Sequence, residues 1–322
     1  MNQPVVFVPE PIARQGMELL RTGAECIAPW EAGGSTAIDR ALLRQADAVI
    51  VRLFKITAQD LEQAPRLRVI AKHGAGVDNI DCQAATARRI PVVYTPDATT
   101  LAVAEHTLAL LLALCRQVVP ASQALQAGLF SQRGRFQGVE LAGKTLGVIG
   151  LGRIGARVAY MAAMGLEMMA VAYDPYLPTG SYEGPAVLLD SLEALLARAD
   201  FVTLHIPLTP DTRHLINAQT LQLVKPGCRL VNTSRGAVID EAALAHTLAQ
   251  GRLAGAALDV FETEPLPADH PLVRAPNTLL TPHIASSTGE ALERMALQAA
   301  QGILDAWRGH RPEYVANPEV FA

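Results

Sequence analysis

The chain has 322 residues, enough for two domains, and half of it is hydrophobic with only 18% charged, so it can bury large cores. Its net charge of −4, with no block of Lys or Arg, excludes an electrostatic footprint for nucleic acid or for a membrane surface. The four cysteines, Cys26, Cys82, Cys115 and Cys228, form no Cys-x-x-Cys pair, which excludes a zinc or disulfide framework and points to reduced thiols in a cytoplasmic protein without a bound metal.

In chain order, residues 1–9 lack the charged start and long apolar run of a signal peptide and read as a first strand. Strand patterns at 5–8, 24–27, 48–51, 69–71 and 92–95 alternate with helical patterns at 12–21, 37–45 and 83–89. A long apolar run over 99–117 follows, and Glu105 and His106 make it a poor membrane span. A second strand series covers 145–149, 168–173, 201–205, 229–232, 255–260 and 278–281. Residues 178–185 read as a surface loop, and Asp190 with Glu193 three residues on reads as a helix cap. A last helix spans 289–308. Strands and helices in alternation predict an α/β protein of two doubly wound parallel-sheet domains. The second series is complete before the last helix. That predicts one domain from 1–98 and 288–322, a second domain from 99–287 inserted in it, and a ligand cleft between them.

The segment Gly150-Leu151-Gly152-Arg153-Ile154-Gly155 follows a strand and opens a helix. Gly150 permits the tight turn, Gly152 lets a pyrophosphate approach the backbone, and Gly155 lets the helix pack on the strand. The helix start, with Arg153 and Ile154, offers N–H groups to phosphates. Asp174 ends the next strand, 19 positions after Gly155, where a ribose-binding carboxylate belongs. A carboxylate repels a 2′-phosphate, and neither Pro175 nor Tyr176 neutralises one, so NAD is expected over NADP.

Three later segments each follow a strand of the same series, on the side where ligands bind. They contain Arg235, which can clamp a carboxylate, then Asp259, Glu262 and Glu264, and finally His283. Singly, Arg235 fits a surface ion pair and Glu264 a turn cap; their shared position is what points to a redox site.

Five ordered segments make the chain similar, nearly end to end, to the D-isomer-specific 2-hydroxyacid dehydrogenase family. They are Gly150–Gly155, His205-Ile206-Pro207-Leu208, Val231-Asn232-Thr233-Ser234-Arg235-Gly236, Ala257–Pro265 and Thr281-Pro282-His283-Ile284-Ala285. The resemblance implies a Rossmann NAD-binding domain inserted in a flavodoxin-like substrate domain. It implies that His283 is the general acid/base, Glu264 its partner, and Arg235 the group that binds the substrate carboxylate. It implies that Asp259 holds the nicotinamide carboxamide, that His205 to Pro207 wall the adenine pocket, and that Thr233, Val103 and Thr212 contact the cofactor. Lys72-His73-Gly74-Ala75-Gly76-Val77-Asp78-Asn79 resembles the family's substrate loop, whose small residues expose backbone N–H groups to anions. Asp78 and Asn79 read as turn and cap residues. The helix at 99–117 resembles one that builds a two-fold homodimer.

Arg52, Lys72 and His73 point to a second anionic group on a small 2-hydroxy or 2-keto acid, as in phosphoglycerate dehydrogenases. The chain stops soon after its last helix, without the regulatory domains many of those carry. Glyoxylate, hydroxypyruvate and sulfolactate-type substrates remain alternatives. Formate dehydrogenases pair the His with Gln, so Glu264 argues against them. A corepressor-like NAD sensor on this fold can retain all three residues, and turnover separates it from an enzyme.

Overall fold

The structure, a computed structural model, describes residues 3–33, 39–178 and 180–322. It divides into two compact units, Met1–Thr99 with Ser287–Ala322, and Thr100–Ser286.

In the first unit the elements are β1 (Val5–Phe7), α1 (Arg14–Arg21), β2 (Glu25–Ile27), α2 (Arg40–Leu43), β3 (Ala48–Val51), α3 (Ala58–Gln63), β4 (Val69–Lys72), α4 (Cys82–Ala87) and β5 (Val92–Val93). The strands form one parallel sheet in the order β2-β1-β3-β4-β5, a flavodoxin-like arrangement. β3 is buried at every residue, as a strand covered on both faces must be.

The second unit contains α5 (Thr100–Cys115), α6 (Val118–Gln126), β6 (Thr145–Ile149), α7 (Arg153–Leu166), β7 (Met169–Tyr173), β8 (Val187–Leu188), α8 (Leu192–Arg198), β9 (Phe201–Leu204), β10 (Arg229–Asn232), α9 (Glu241–Ala249), β11 (Gly255–Leu258), α10 (Pro271–Arg274) and β12 (Thr278–Leu280). Its parallel sheet runs β12-β11-β10-β9-β6-β7-β8. This is the Rossmann order, reversing between β6 and β9, with one further strand beyond the usual six. β6, β9 and β11 are buried throughout.

The chain then returns to the first unit as α11 (Gly289–Trp307), capped by Thr288, whose side chain accepts from the Ala291 N–H. α11 lies so close to α1 that a Cβ on Gly16 would sit 2.6 Å from that of Ala296.

Several local expectations are corrected. α8 is capped by Ser191, which accepts from the Ala194 N–H, and not by Asp190. α4 is capped by Asp81, and Asn79 has another task, described below. The helix expected over 37–45 is the shorter Arg40–Leu43, because Asp39 is extended and caps it, its side chain accepting from the Ala41 N–H; residues 37 and 38 lie outside the described residues, as do Met1, Asn2 and Thr179 of the expected first strand segment and loop. The sequence pattern also passed over α3, α6, α10 and the two-residue β8.

Candidate active site

β6 runs into Gly150, whose φ of +87° lies in the left-handed region open to glycine. A Cβ there would meet the His205 carbonyl oxygen at 2.6 Å, because β6 and β9 are neighbours at the point where strand order reverses. A Cβ on Gly155 would lie 2.0 Å from the Gly150 oxygen, so the helix can approach the turn only with glycine there. At Gly152 a Cβ would meet nothing within 4 Å. That open space sits at the start of the 14-residue α7, whose amino end has no side-chain cap. Free N–H groups, dipole and clearance suit a pyrophosphate. Arg153 is exposed in the first turn, and Ile154 packs partly into the core.

Asp174 follows β7. Its Oδ2 accepts from the Leu151 N–H at 2.9 Å and its Oδ1 from the Tyr176 N–H at 3.0 Å. The carboxylate thus ties the glycine turn to the end of β7 and retains lone pairs for ribose hydroxyls. The His205 ring bonds Thr203 Oγ1 through Nε2 at 2.9 Å. Burial pushes that imidazole down to about 3, so it stays neutral. Thr212 spends its hydroxyl on the Pro207 carbonyl at 2.7 Å, and Val103 is buried on α5.

Beyond β10, the fully buried Asn232 builds the turn that holds Arg235. Its Oδ1 accepts from the Ser234 N–H and hydroxyl at 2.9 and 2.8 Å, and its Nδ2 donates to the Arg235 carbonyl at 2.9 Å. The Arg235 guanidinium donates to the Ser234 carbonyl at 2.7 Å. Thr233 meets Thr107 of α5 hydroxyl to hydroxyl at 2.8 Å. A Cβ on Gly236 would fall 1.8 Å from the Phe261 carbonyl carbon, so this turn lies directly on the 261–262 backbone that leads to Glu264.

Glu264 uses both oxygens. Oε1 accepts from the Phe261 N–H at 3.0 Å, and Oε2 is 2.8 Å from His283 Nδ1. Burial would raise the Glu264 carboxyl, but the bonds from His283 and Phe261 outweigh it and hold the group below the usual carboxylate range. Glu262 N–H donates to Glu241 at 2.8 Å, which fixes the same segment from α9. His283 has a φ of +52°, uncommon for a residue with a side chain. With Nδ1 on Glu264, no described residue bonds its Nε2.

Asp259 is 0% exposed. Its carboxylate accepts from Thr281 Oγ1, the Ile284 N–H and the Ala285 N–H at 2.6, 2.9 and 2.8 Å. Its oxygens therefore serve the loop that carries His283.

In the first unit, Lys72 Nζ donates to the Arg52 carbonyl at 2.5 Å and to Asn79 Oδ1 at 2.7 Å. Asn79 Nδ2 donates to the Phe54 carbonyl at 2.7 Å, so this residue knits two loops together and does not cap α4. Lys72 is accordingly a fixed cation, half-buried in its loop. Arg52 bonds the Pro11 carbonyl, and its N–H donates to Glu10 at 3.0 Å. His73 is corrected as a source of positive charge: burial, with Arg52 and Lys72 nearby, pushes its ring down to about 4. The Gly74 N–H is committed to Thr95 Oγ1 at 3.0 Å. Among the described residues of this loop, the N–H groups of Ala75, Gly76 and Val77 are without partners. The functional contributions that the sequence left unread are those of Glu10, Thr95, His106, Thr107, Asn232 and Glu241. Glu10, Thr95, His106, Thr107 and Glu241 stand in no recognisable motif and act on partners distant in sequence, whereas Asn232 lies within the 231–236 motif and acts on its neighbours Ser234 and Arg235.

Among the described residues no three His, Cys, Asp or Glu side chains are grouped to hold a metal ion, and no single helix is long and apolar enough to cross a membrane.

Residues 108–285, more than half of the chain, match the family model described as D-isomer specific 2-hydroxyacid dehydrogenase, NAD binding domain. The chain is 45% identical over 278 residues to D-3-phosphoglycerate dehydrogenase of Methanocaldococcus jannaschii, covering 85% of this chain and 52% of that protein. It thus spans about half the length of the curated relatives it matches. Among solved structures it is similar to the TT0316 protein of Thermus thermophilus, with a TM-score of 0.88, 38% identity, and 97% and 99% of the two chains covered. It is also similar to D-lactate dehydrogenase of Aquifex aeolicus complexed with NAD and lactic acid, with a TM-score of 0.84, 30% identity, and 97% and 99% covered.

Proposed function

Because the chain belongs to the D-isomer-specific 2-hydroxyacid dehydrogenase family, we propose that it moves hydride between NAD and C2 of a D-2-hydroxy acid or its 2-keto partner. The observation that carries this reading is the 2.8 Å bond between His283 Nδ1 and Glu264 Oε2, in the unit that also presents the glycine turn. In its domain terms, residues 99–287 hold the cofactor and residues 1–98 with 288–322 hold the substrate.

NAD, when bound, supplies or accepts the hydride. Gly152 leaves room for its pyrophosphate, the start of α7 supplies N–H donors, and Asp174 takes the ribose hydroxyls and disfavours a 2′-phosphate. In reduction, His283 Nε2 gives its proton to the keto oxygen as C2 gains hydride; in oxidation the same nitrogen takes the hydroxyl proton. Glu264 fixes the ring through Nδ1, so that Nε2 faces the substrate. The Arg235 guanidinium clamps the 2-carboxylate with two parallel bonds and polarises the carbonyl. Small residues at 75–77 offer a further set of anion-receptive N–H groups.

For the substrate, the fixed cations Lys72 and Arg52, with the relatives named D-3-phosphoglycerate dehydrogenase, favour a second anionic group of the phosphoglycerate kind. The neutral His73 and the internal bonds of Lys72 favour a second reading, reduction of a smaller acid such as hydroxypyruvate or glyoxylate. NADH oxidation across glyoxylate, hydroxypyruvate, phosphohydroxypyruvate and sulfopyruvate distinguishes them. The highest kcat/KM with the phosphorylated or sulfonated acid supports the first reading. Preference for the uncharged tails supports the second, and no turnover of any 2-keto acid removes the enzyme assignment in favour of an NAD-sensing protein.

Two further parts of the proposal are cellular. All four cysteines are unpaired, which suits the reducing cytoplasm. The exposed apolar surface of α6 suits a homodimer.

A further inference from the structure

Three successive backbone N–H groups, those of His283, Ile284 and Ala285, all bond to one residue. The His283 N–H donates to the Asp259 carbonyl at 2.8 Å, the Ile284 N–H to Oδ1 at 2.9 Å, and the Ala285 N–H to Oδ2 at 2.8 Å. Consecutive N–H groups of this kind make an anion-binding concavity. Here the chain supplies the anion itself, because the Asp259 carboxylate, which has no solvent exposure, takes the second and third of these N–H groups, while the first is held by the Asp259 carbonyl and, at 3.0 Å, by that of Thr281.

The anion is in turn held from α5. Thr281 donates its hydroxyl hydrogen to Asp259 Oδ1 at 2.6 Å, so its oxygen can only accept. His106 Nε2 lies 3.3 Å from that oxygen and 3.5 Å from Asp259 Oδ1, and must therefore carry a hydrogen. The donors run in one direction, from His106 to Thr281 to Asp259, and end on the group that grips the loop. Burial would raise the Asp259 carboxyl, yet His106, Thr281 and the two loop amides together hold it below the usual range.

We propose that His106, acting through Thr281 and the Asp259 carboxylate, is a positioning residue for the acid/base His283. The filled concavity holds His283 in its left-handed conformation, at φ +52°, and so aims Nδ1 at Glu264. The proposal rests on the reading of His283 given under Proposed function, and it assigns to α5 a direct share in the geometry of the site. His106 touches neither substrate nor cofactor in this scheme.

The test compares His106→Leu, His106→Gln and Thr281→Val in the full chain, with hydroxypyruvate and NADH as probes. Gln keeps a donor near the Nε2 position, whereas Leu removes it. His106→Leu is expected to lower kcat about tenfold or more, with KM for hydroxypyruvate and the Kd of NADH within about threefold, since small misplacement of a catalytic group costs up to about a hundredfold. His106→Gln is expected to restore most of the rate. The double variant with Thr281→Val is expected to be no worse than the poorer single one, because both interrupt one chain of bonds. Independently of turnover, amide exchange in a peptide covering 283–285 is expected to speed up in His106→Leu and to stay slow in His106→Gln. Unchanged exchange in His106→Leu, or a Gln variant as defective as Leu, overturns the proposal. His283→Ala run in parallel separates the two ideas. If that variant keeps its turnover, the acid/base reading fails, while exchange at 283–285 still decides whether the clamp exists.

Discussion

At the scale of the residue, His283 has one ring nitrogen committed to Glu264 and the other without a described partner, which is the division of labour an acid/base imidazole needs. Replacing it with Ala is expected to cut kcat about a hundred- to ten-thousandfold, the usual weight of a positioned acid/base group. The Kd for NADH, read by fluorescence titration, should barely move, and a loss of NADH binding would reassign the residue. Glu264→Gln keeps an acceptor for Nδ1 but removes the carboxylate that its bonds hold below the usual range. It is expected to lower kcat for reduction about tenfold or more, as a misplaced or unsupported catalytic group does, with the Kd of NADH unchanged; an unchanged kcat in initial-rate measurements would contradict the pairing. His73 makes a pH prediction. Its ring ionises near 4 in the folded chain against 6.5 as the reference for the unfolded one. As pH falls, the unfolded chain takes up the proton first, so stability is full above about 6.5 and declines toward about 4, by about 3 kcal/mol over that window. Urea midpoints measured at intervals from pH 7 to 4.5 should fall less steeply for His73→Gln than for the native chain. Equal slopes would show that His73 takes no part.

At the scale of the element, the site is assembled from loops that touch through backbone. Gly236 is the clearest case, since a Cβ there would penetrate the Phe261–Glu262 peptide group. Gly236→Ala must push the Arg235 turn away from the segment that leads to Glu264. A loss of about 1–3 kcal/mol or more is expected from overpacking, together with a raised KM for the keto acid as Arg235 moves. Thermal unfolding and initial rates check both parts, and a variant with native KM would mean that the turn relaxes without moving Arg235. The same scale explains what could be read from the chain. Gly150, Gly152 and Gly155 were legible because their constraints are local: a left-handed φ, a clearance and a helix–turn approach within six residues. β6 was legible because, Thr145 aside, its five buried residues are apolar or small on both faces. Asp259 was picked out, but not its hold on the 281–285 loop, because its buried carboxylate finds its partners 22 to 26 positions away. His106, 175 positions from Thr281, was noted in the sequence only as a polar interruption of α5. β8 is two residues long, and α6 buries no residue, so neither leaves a periodic signature.

At the scale of the whole molecule, α6 poses a physical problem. A nine-residue helix is marginal alone in water, and helices in proteins gain most of their stability by packing an apolar face. Yet none of the residues in α6 or in the 3-10 segment Phe130–Arg135 is buried, while Leu125 is 60% and Phe130 63% exposed. α5, immediately before it, has its own buried face satisfied by the second unit's core, so it leaves nothing to cover this arm. An apolar surface of this kind is the mark of a partner. A second copy is the occupant proposed here, since it requires no additional protein and places like surfaces together across a two-fold axis. Sedimentation of the native chain at micromolar concentration should then report about twice the mass of the 322-residue chain. Leu125→Asp with Phe130→Asp should shift it to the monomer, because two charges would be buried at the contact without partners. The same variant should keep its affinity for NADH, since neither residue belongs to the glycine turn or to the Asp174 end of β7. A native chain that sediments as a monomer would leave α6 uncovered and would refute the dimer.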